Sequence, residues 1–203
     1  KIYNTNFDYQ IKKDLSPLTK ADTSSHNIIC ERLKLLTPDI PILSEEDSDI
    51  PFNIRSSWKE YWLIDPLDGT KEFIKHNGEF TVNIALIKNN RPIFGMIYVP
   101  VKDQIYWGLE NHGSYLIDEE STQIKLRVSK NEDLPIRIAC SRSHPSKQLT
   151  TFLNNIKNYE LITVGSSLKF CLIAKGEADL YPRFGPTSEW DTAAGEAIAR
   201  FAG

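Results

Sequence analysis

Residues 80–128 are a series of short apolar runs separated by turn-forming residues, and this stretch limits the possible folds more than any other. The runs 80–87 and 93–99 flank Lys88-Asn89-Asn90-Arg91-Pro92, and the runs 104–109 and 114–117 flank Asn111-His112-Gly113. Links this short, rich in Asn and Gly, join antiparallel strands, because those residues accept the left-handed backbone of a tight hairpin. Ile124, Leu126 and Val128 alternate with polar residues, the period of a half-buried strand. Residues 80–128 are therefore predicted to form an antiparallel meander. Beyond residue 130 the pattern changes to strands at 136–140, 161–164 and 178–181 alternating with helices at 145–156, 167–175 and 191–201, an α/β arrangement. The chain is thus expected to be α+β, with an N-terminal part over 1–130 and a C-terminal part over 131–203.

Ahead of the meander, residues 1–20 are polar and read as irregular. A helix is predicted from Asp22, with Ile28, Ile29, Leu33, Leu35 and Leu36 as its apolar face and Pro38 as its stop. A short buried strand is expected at 40–43, an acidic loop at 44–59, and a strand at 61–64 that runs directly into Asp65. With 203 residues and 40% hydrophobic content, the chain can bury a core without disulfides. Cys30, Cys140 and Cys171 are odd in number, widely spaced and set in apolar segments, which points to buried free thiols in a reducing cytoplasm. A net charge of −3 excludes a large basic face for nucleic acid, and no apolar run approaches the ~18 residues of a membrane span. The only methionine is Met96, so the natural chain is expected to begin before Lys1, and 1–203 reads as a piece of something longer.

Charge is unevenly distributed. Residues 39–72 hold nine acidic and three basic residues, whereas 141–183 hold six basic and three acidic ones. Within the acidic stretch, Asp65-Pro66-Leu67-Asp68-Gly69-Thr70 follows an apolar strand, a rigid support from which carboxylates can project. Pro66 fixes the turn that can aim Asp65 and Asp68 at one point, where the Leu67 carbonyl can join them. Two carboxylates and a carbonyl form a hard oxygen set suited to magnesium. Gly69 permits close backbone approach, and a helix starting near Thr70 would offer free N–H groups to a phosphate. A turn capping a short helix is the plain alternative. A phosphoaspartate mechanism is excluded, because the nucleophile's position, two residues before Asp68, is Pro66.

Three further segments join this motif: Leu18-Thr19-Lys20-Ala21-Asp22, Ser44-Glu45-Glu46-Asp47, and Glu189-Trp190-Asp191-Thr192-Ala193-Ala194, the last with Asp191 as a helix N-cap. Taken together and in this order, the D-P-x-D-G-T and W-D-x-A-A signatures resemble the lithium-sensitive, magnesium-dependent phosphatase family that includes inositol monophosphatase. Residues 65–73 (DPLDGTKEF), 77–84 (NGEFTVNI), 141–144 (SRSH), 165–170 (GSSLKF) and 176–194 (GEADLYPRFGPTSEWDTAA) are similar to the bisphosphate nucleotidase branch of that family. The likeness runs from about residue 15 onward, and members of the family extend further at both ends.

The resemblance implies a layered α/β/α/β sugar-phosphatase fold, cut short at its ends. It implies that Glu45, Asp65, the Leu67 carbonyl, Asp68 and Asp191 bind about two to three magnesium ions, as in metal-assisted phosphoryl displacement. Asp22, Thr70 and Glu45 are the implied catalytic residues, with Thr70 and Asp22 orienting and deprotonating the attacking water. Glu45, Leu67, Asp68, Gly69, Thr70 and Asp191 would surround the cleaved phosphate, and Lys169 and Arg183 would hold the phosphate that stays. Arg suits such a contact through its two-pronged donor set. The implied reaction is hydrolysis of adenosine 3′,5′-bisphosphate to AMP and phosphate, which clears a by-product of sulfate assimilation, with lithium as inhibitor. The implied location is the cytoplasm, where some relatives are assigned to the inner membrane's cytoplasmic face. Inositol monophosphate or fructose 1,6-bisphosphate are alternative substrates, and a metal- or nucleotide-binding module without turnover is a reading of another class. His144 reads equally as a nucleotide contact or a structural residue, His26 as structural, and Trp62 and Trp190 as core packing.

Overall fold

The structure, a computed structural model, describes residues 2–5, 8–11, 17–130, 135–142 and 147–203. The chain opens with a 3-10 turn at Ile2–Asn4 and a two-stranded antiparallel ribbon of β1 (Tyr9–Ile11) on β2 (Pro17–Thr19). That ribbon replaces the irregular start expected from composition: β2 is anchored by the buried Thr19, and exposed β1 pairs along it. Helix α1 (Lys20–Leu36) follows at once and ends before Pro38.

A seven-stranded sheet then forms in chain order from β3 (Ile42–Ser44), β4 (Glu60–Asp68), β5 (Thr81–Lys88), β6 (Arg91–Val99), β7 (Gln104–Leu109), β8 (Gly113–Ile117) and β9 (Gln123–Lys125). β3 is parallel to β4 and every later pairing is antiparallel. The β5–β6 hairpin turns on Asn89 and Asn90, whose φ angles of 49° and 61° match the twist of the flanking strands. Two short helices interrupt the early part of the sheet. α2 (Phe52–Arg55) lies inside the segment expected to be loop, and α3 (Thr70–Ile74) directly follows β4. After β9 come β10 (Ile136–Ser141), α4 (Lys147–Leu153), and β11 (Tyr159–Val164) parallel to β10; α5 (Leu168–Ala174) and α6 (Glu189–Phe201) complete the fold.

Side chains alternate across the sheet and build a core on each face. On one face α1 covers β4 through Cys30 and Leu33, packed with Ile64 and Ile84. On the other, Leu63, Ala85, Ile97 and Val99 pack against Cys171 and Ala174 of α5 and Ala194 and Ile198 of α6. α5 also touches β10, so the β10–β11 sheet forms a further layer. The order is α/β/α/β, and α5 and α6 bring the late chain onto the early sheet. α6 lies very close to the strands: a Cβ on Gly95 would stand 2.3 Å from the Ala194 carbonyl oxygen, and one on Gly108 2.9 Å from Ile198 Cα.

Two expectations need correction. The apolar stripe of α1 is narrower than the sequence suggests, because Ile28, Leu35 and Leu36 are exposed. Ile28 and Leu35 stand two residues from Cys30 and Leu33, about 200° round the helix from the face that meets the sheet. Residues 178–181 form no strand; Leu180 makes one parallel bridge to Ile138. Pro182 follows at once and has no N–H with which to extend the ladder.

Candidate active site

Two capping boxes place two of the candidate carboxylates. Thr19 caps α1: its hydroxyl accepts from Ala21 N–H at 3.0 Å, and Asp22 Oδ2 accepts from the Thr19 N–H and hydroxyl at 2.8 and 2.5 Å. Ser188 caps α6 in the same way, and Asp191 Oδ2 accepts from Ser188 N–H at 2.9 Å and the Thr187 hydroxyl at 2.7 Å. Asp191 is therefore the third helical residue, not the N-cap expected from sequence. The capping box ties each carboxylate to backbone at the start of a helix, which limits its rotamers.

β4 carries the next pair. Its ladder with β5 passes from Asp65 opposite Asn83 to Asp68 opposite Thr81, so Pro66 and Leu67 form an irregularity in the strand. Asp65 is 1% exposed, and its Oδ1 accepts from Leu67 N–H at 3.0 Å. The Leu67 side chain is pinned in an apolar cluster with Phe73 and Phe80. Asp68 Oδ2 lies 2.7 Å from the Ser167 hydroxyl and 3.4 Å from Asn83 Nδ2. Glu45 follows β3, and its N–H donates to the Ile64 carbonyl at 3.0 Å, which fixes it beside the residue preceding Asp65. His26 supports that turn from α1, with Nδ1 2.9 Å from the Ser44 hydroxyl.

These carboxylates feel one another. Burial pushes the Asp65 carboxyl well above the usual range, and repulsion from Asp68, Glu45 and Asp191 pushes it further. Asp68 is raised by burial, opposed by the Ser167 hydroxyl and reinforced by Asp191. Oxygen donors and concentrated negative charge fit a hard divalent cation. Among the described residues, however, no three His, Cys, Asp or Glu side chains are arranged to close on a single ion.

Thr70 opens α3 after Gly69, whose φ of 91° is open to glycine and strained for other residues. Its hydroxyl lies 3.3 Å from both Asp22 Oδ1 and the Leu67 carbonyl, so its single proton can go to either. Gly69, Thr70, Asp68 and Asp191 line a cavity of about 240 Å³ together with Lys169 and Arg183. Glu45, Asp65 and Asp22 do not form part of its wall.

Lys169 is 4% exposed on α5. Its ammonium donates to the Ser166 carbonyl and stands 5.4 Å over the Tyr181 ring. Burial lowers its pKa, Asp68 opposes this and Arg183 adds to it. Arg183 donates to the Pro186 carbonyl at 2.9 Å. Burial pushes the Tyr181 hydroxyl up to about 12. The free thiols are buried, Trp62 donates to the Thr37 hydroxyl within the α1 core, and Trp190 packs on the larger core. His144 lies outside the described residues.

Sequence reading missed the polar residues that tie these parts together. Ser167 is 2% exposed, with its hydroxyl 2.7 Å from Asp68 Oδ2, 2.9 Å from the Asp191 carbonyl and 2.9 Å from Asn83 Nδ2. Ser166 has a φ of 45° and a buried hydroxyl without a hydrogen-bond partner, and it also lines the cavity. Ser167's partners stand 84 and 99 residues away at Asn83 and Asp68, a pairing that local pattern does not carry.

Comparisons with known proteins agree in one direction. The model of the inositol monophosphatase family matches residues 1–203. The chain is 50% identical over 196 residues to the 3′(2′),5′-bisphosphate nucleotidase CysQ of Salmonella typhimurium, covering 97% of this chain and 78% of that one. It is 47% identical to the protein of the same name from Escherichia coli K12, with the same coverage. The crystal structure of CysQ from Bacteroides thetaiotaomicron superposes with a TM-score of 0.85 at 42% identity, covering 100% of this chain and 80% of that one.

Proposed function

The chain belongs to the inositol monophosphatase family, and within it we propose that it is a magnesium-dependent 3′(2′),5′-bisphosphate nucleotidase that hydrolyses adenosine 3′,5′-bisphosphate to AMP and phosphate. One observation carries the choice of substrate: the cavity wall holds the carboxylates Asp68 and Asp191 beside the cations Lys169 and Arg183. Such a wall suits a ligand with one phosphate to cleave and another to hold. The similarity to the CysQ proteins supports the same reading.

Glu45, Asp65, Asp68, Asp191 and the Leu67 carbonyl would hold about two to three magnesium ions. Bound magnesium supplies charge neutralisation at the phosphate and acidifies water at neutral pH. Asp22 acts through Thr70. The Thr70 hydroxyl hydrogen-bonds the attacking water and passes its own proton toward Asp22 Oδ1, the acceptor 3.3 Å away. The Gly69 and Thr70 N–H groups bind the phosphate under attack. Lys169, whose ammonium donates to the uncharged Ser166 carbonyl, offers its charge to the retained phosphate, and Arg183 offers a forked donor set. In this reading residues 1–130 contribute most of the metal ligands, and residues 131–203 the nucleotide side and the last ligand. Lithium inhibits and the enzyme works in the cytoplasm; among the described residues no helix is long and apolar enough to cross a membrane.

Lys169→Met tests the substrate assignment. It is expected to raise KM for adenosine 3′,5′-bisphosphate at least about tenfold while changing kcat much less, the signature of lost ground-state binding. An unchanged KM would refute the role of Lys169.

A further inference from the structure

Glu79, between α3 and β5, has no part in the chemistry above, yet three parts of the site meet on it. Its carboxylate accepts two bonds from the Arg142 guanidinium, from Nε to Oε2 and from a terminal nitrogen to Oε1, each 2.7 Å long. Oε2 also accepts from Gly165 N–H at 2.8 Å. The same Arg142 donates to the Thr163 carbonyl at 2.8 Å, so the pair grips the ends of both β10 and β11. The backbone is equally close. A Cβ on Gly165 would stand 2.8 Å from the Glu79 carbonyl oxygen, and one on Gly69 3.1 Å from the same atom. Glu79 therefore abuts the phosphate-binding turn on one side and the β11–α5 turn on the other.

The β11–α5 turn is the one that needs holding. Ser166 is a non-glycine residue at a φ of 45°, a conformation that persists only where its surroundings enforce it. Its carbonyl receives the Lys169 ammonium. A shift of Gly165 and Ser166 would carry Lys169 with it, away from the Gly69–Thr70 turn.

We propose that the Glu79–Arg142 pair is a positioning device that sets the spacing between the phosphate-cleaving turn at Gly69–Thr70 and the buried Lys169, and so selects substrates with two phosphates on one ribose. Neither residue touches substrate in this scheme; they act through Gly165 and Ser166. The inference rests on the nucleotidase reading and deepens it.

The test compares adenosine 3′,5′-bisphosphate with adenosine 3′-monophosphate, which lacks the retained phosphate, on wild type and on Glu79→Gln, Arg142→Gln and the double variant. The ratio of kcat/KM for bisphosphate over monophosphate is expected to drop about tenfold in each single variant, chiefly through KM for the bisphosphate. The double variant should drop no further, since the two residues act as one unit. Losses equal on both substrates, together with a lowered melting temperature, would make the pair a structural tie only and overturn the inference. Unchanged kinetics on both would overturn it as well. A wild-type enzyme that does not favour the bisphosphate would instead sink the nucleotidase reading, and the inference with it.

Discussion

Thr70 is where the chemistry depends on one hydroxyl. Its proton has two acceptors at the same distance, Asp22 Oδ1 and the Leu67 carbonyl. Only the first gives a route for a proton out of the attacking water. Thr70→Ala removes that route and leaves the Asp22 capping box intact, because the box uses Thr19 and Oδ2. The variant is expected to lose about 100-fold or more in kcat, with a melting temperature close to wild type. A rate within a few-fold of wild type would remove Thr70 from the proton path. At this scale the sequence was informative for residues whose signal is local. The D-P-x-D-G-T run sits at a strand end, whereas Asp191, read as an N-cap, stands three residues after the true cap, Ser188. It placed Ser167, Asn83 and Glu79 inside segments of family likeness but gave them no role, because their partners lie on distant elements.

Among the elements, α6 connects the two ends of the chain. It reaches β6 and β7 only because Gly95 and Gly108 leave room for its backbone, and it presents Asp191 from its first turn. Gly95→Ala puts a methyl 2.3 Å from the Ala194 carbonyl oxygen, a backbone atom of α6 that cannot swing aside as a flexible side chain would. It should cost at least about 1–3 kcal/mol in urea unfolding. Wild-type stability would show that α6 can shift freely. The start of β10 is held differently. The Arg137 guanidinium and N–H bond Asp179, and these bonds, against the opposing effect of burial, hold its carboxyl down to about 2. A depressed carboxylate stabilises the fold fully above its unfolded pKa of ~3.9 and loses that stabilisation as pH falls toward 2. Wild type should therefore exceed Asp179→Asn in stability at pH 7, and the gap should narrow at pH 3; a gap independent of pH would mean that the pairing is not electrostatic. Hairpins were legible here from Asn and Gly at their turns. The width of the α1 stripe was not, since apolar residues at 28, 35 and 36 look the same in sequence whether or not a partner covers them.

For the whole molecule, the antiparallel meander and the later α/β alternation were both readable, because each has its own period. How they stack was not: the closeness of α6 to the early sheet depends on small residues at 95, 108 and 194 that carry no periodic signal. That stacking creates the cavity in which the carboxylates of β4 and α6 share a wall with Lys169. The central claim is that this wall is built for a nucleotide carrying two phosphates. It is tested most directly by phosphate release from adenosine 3′,5′-bisphosphate, inositol 1-phosphate and fructose 1,6-bisphosphate in parallel, with magnesium and then with added lithium. Release mainly from the nucleotide, dependent on magnesium and suppressed by lithium, is the expected result. Preference for either sugar phosphate, or no release from a folded protein that binds magnesium, would contradict it.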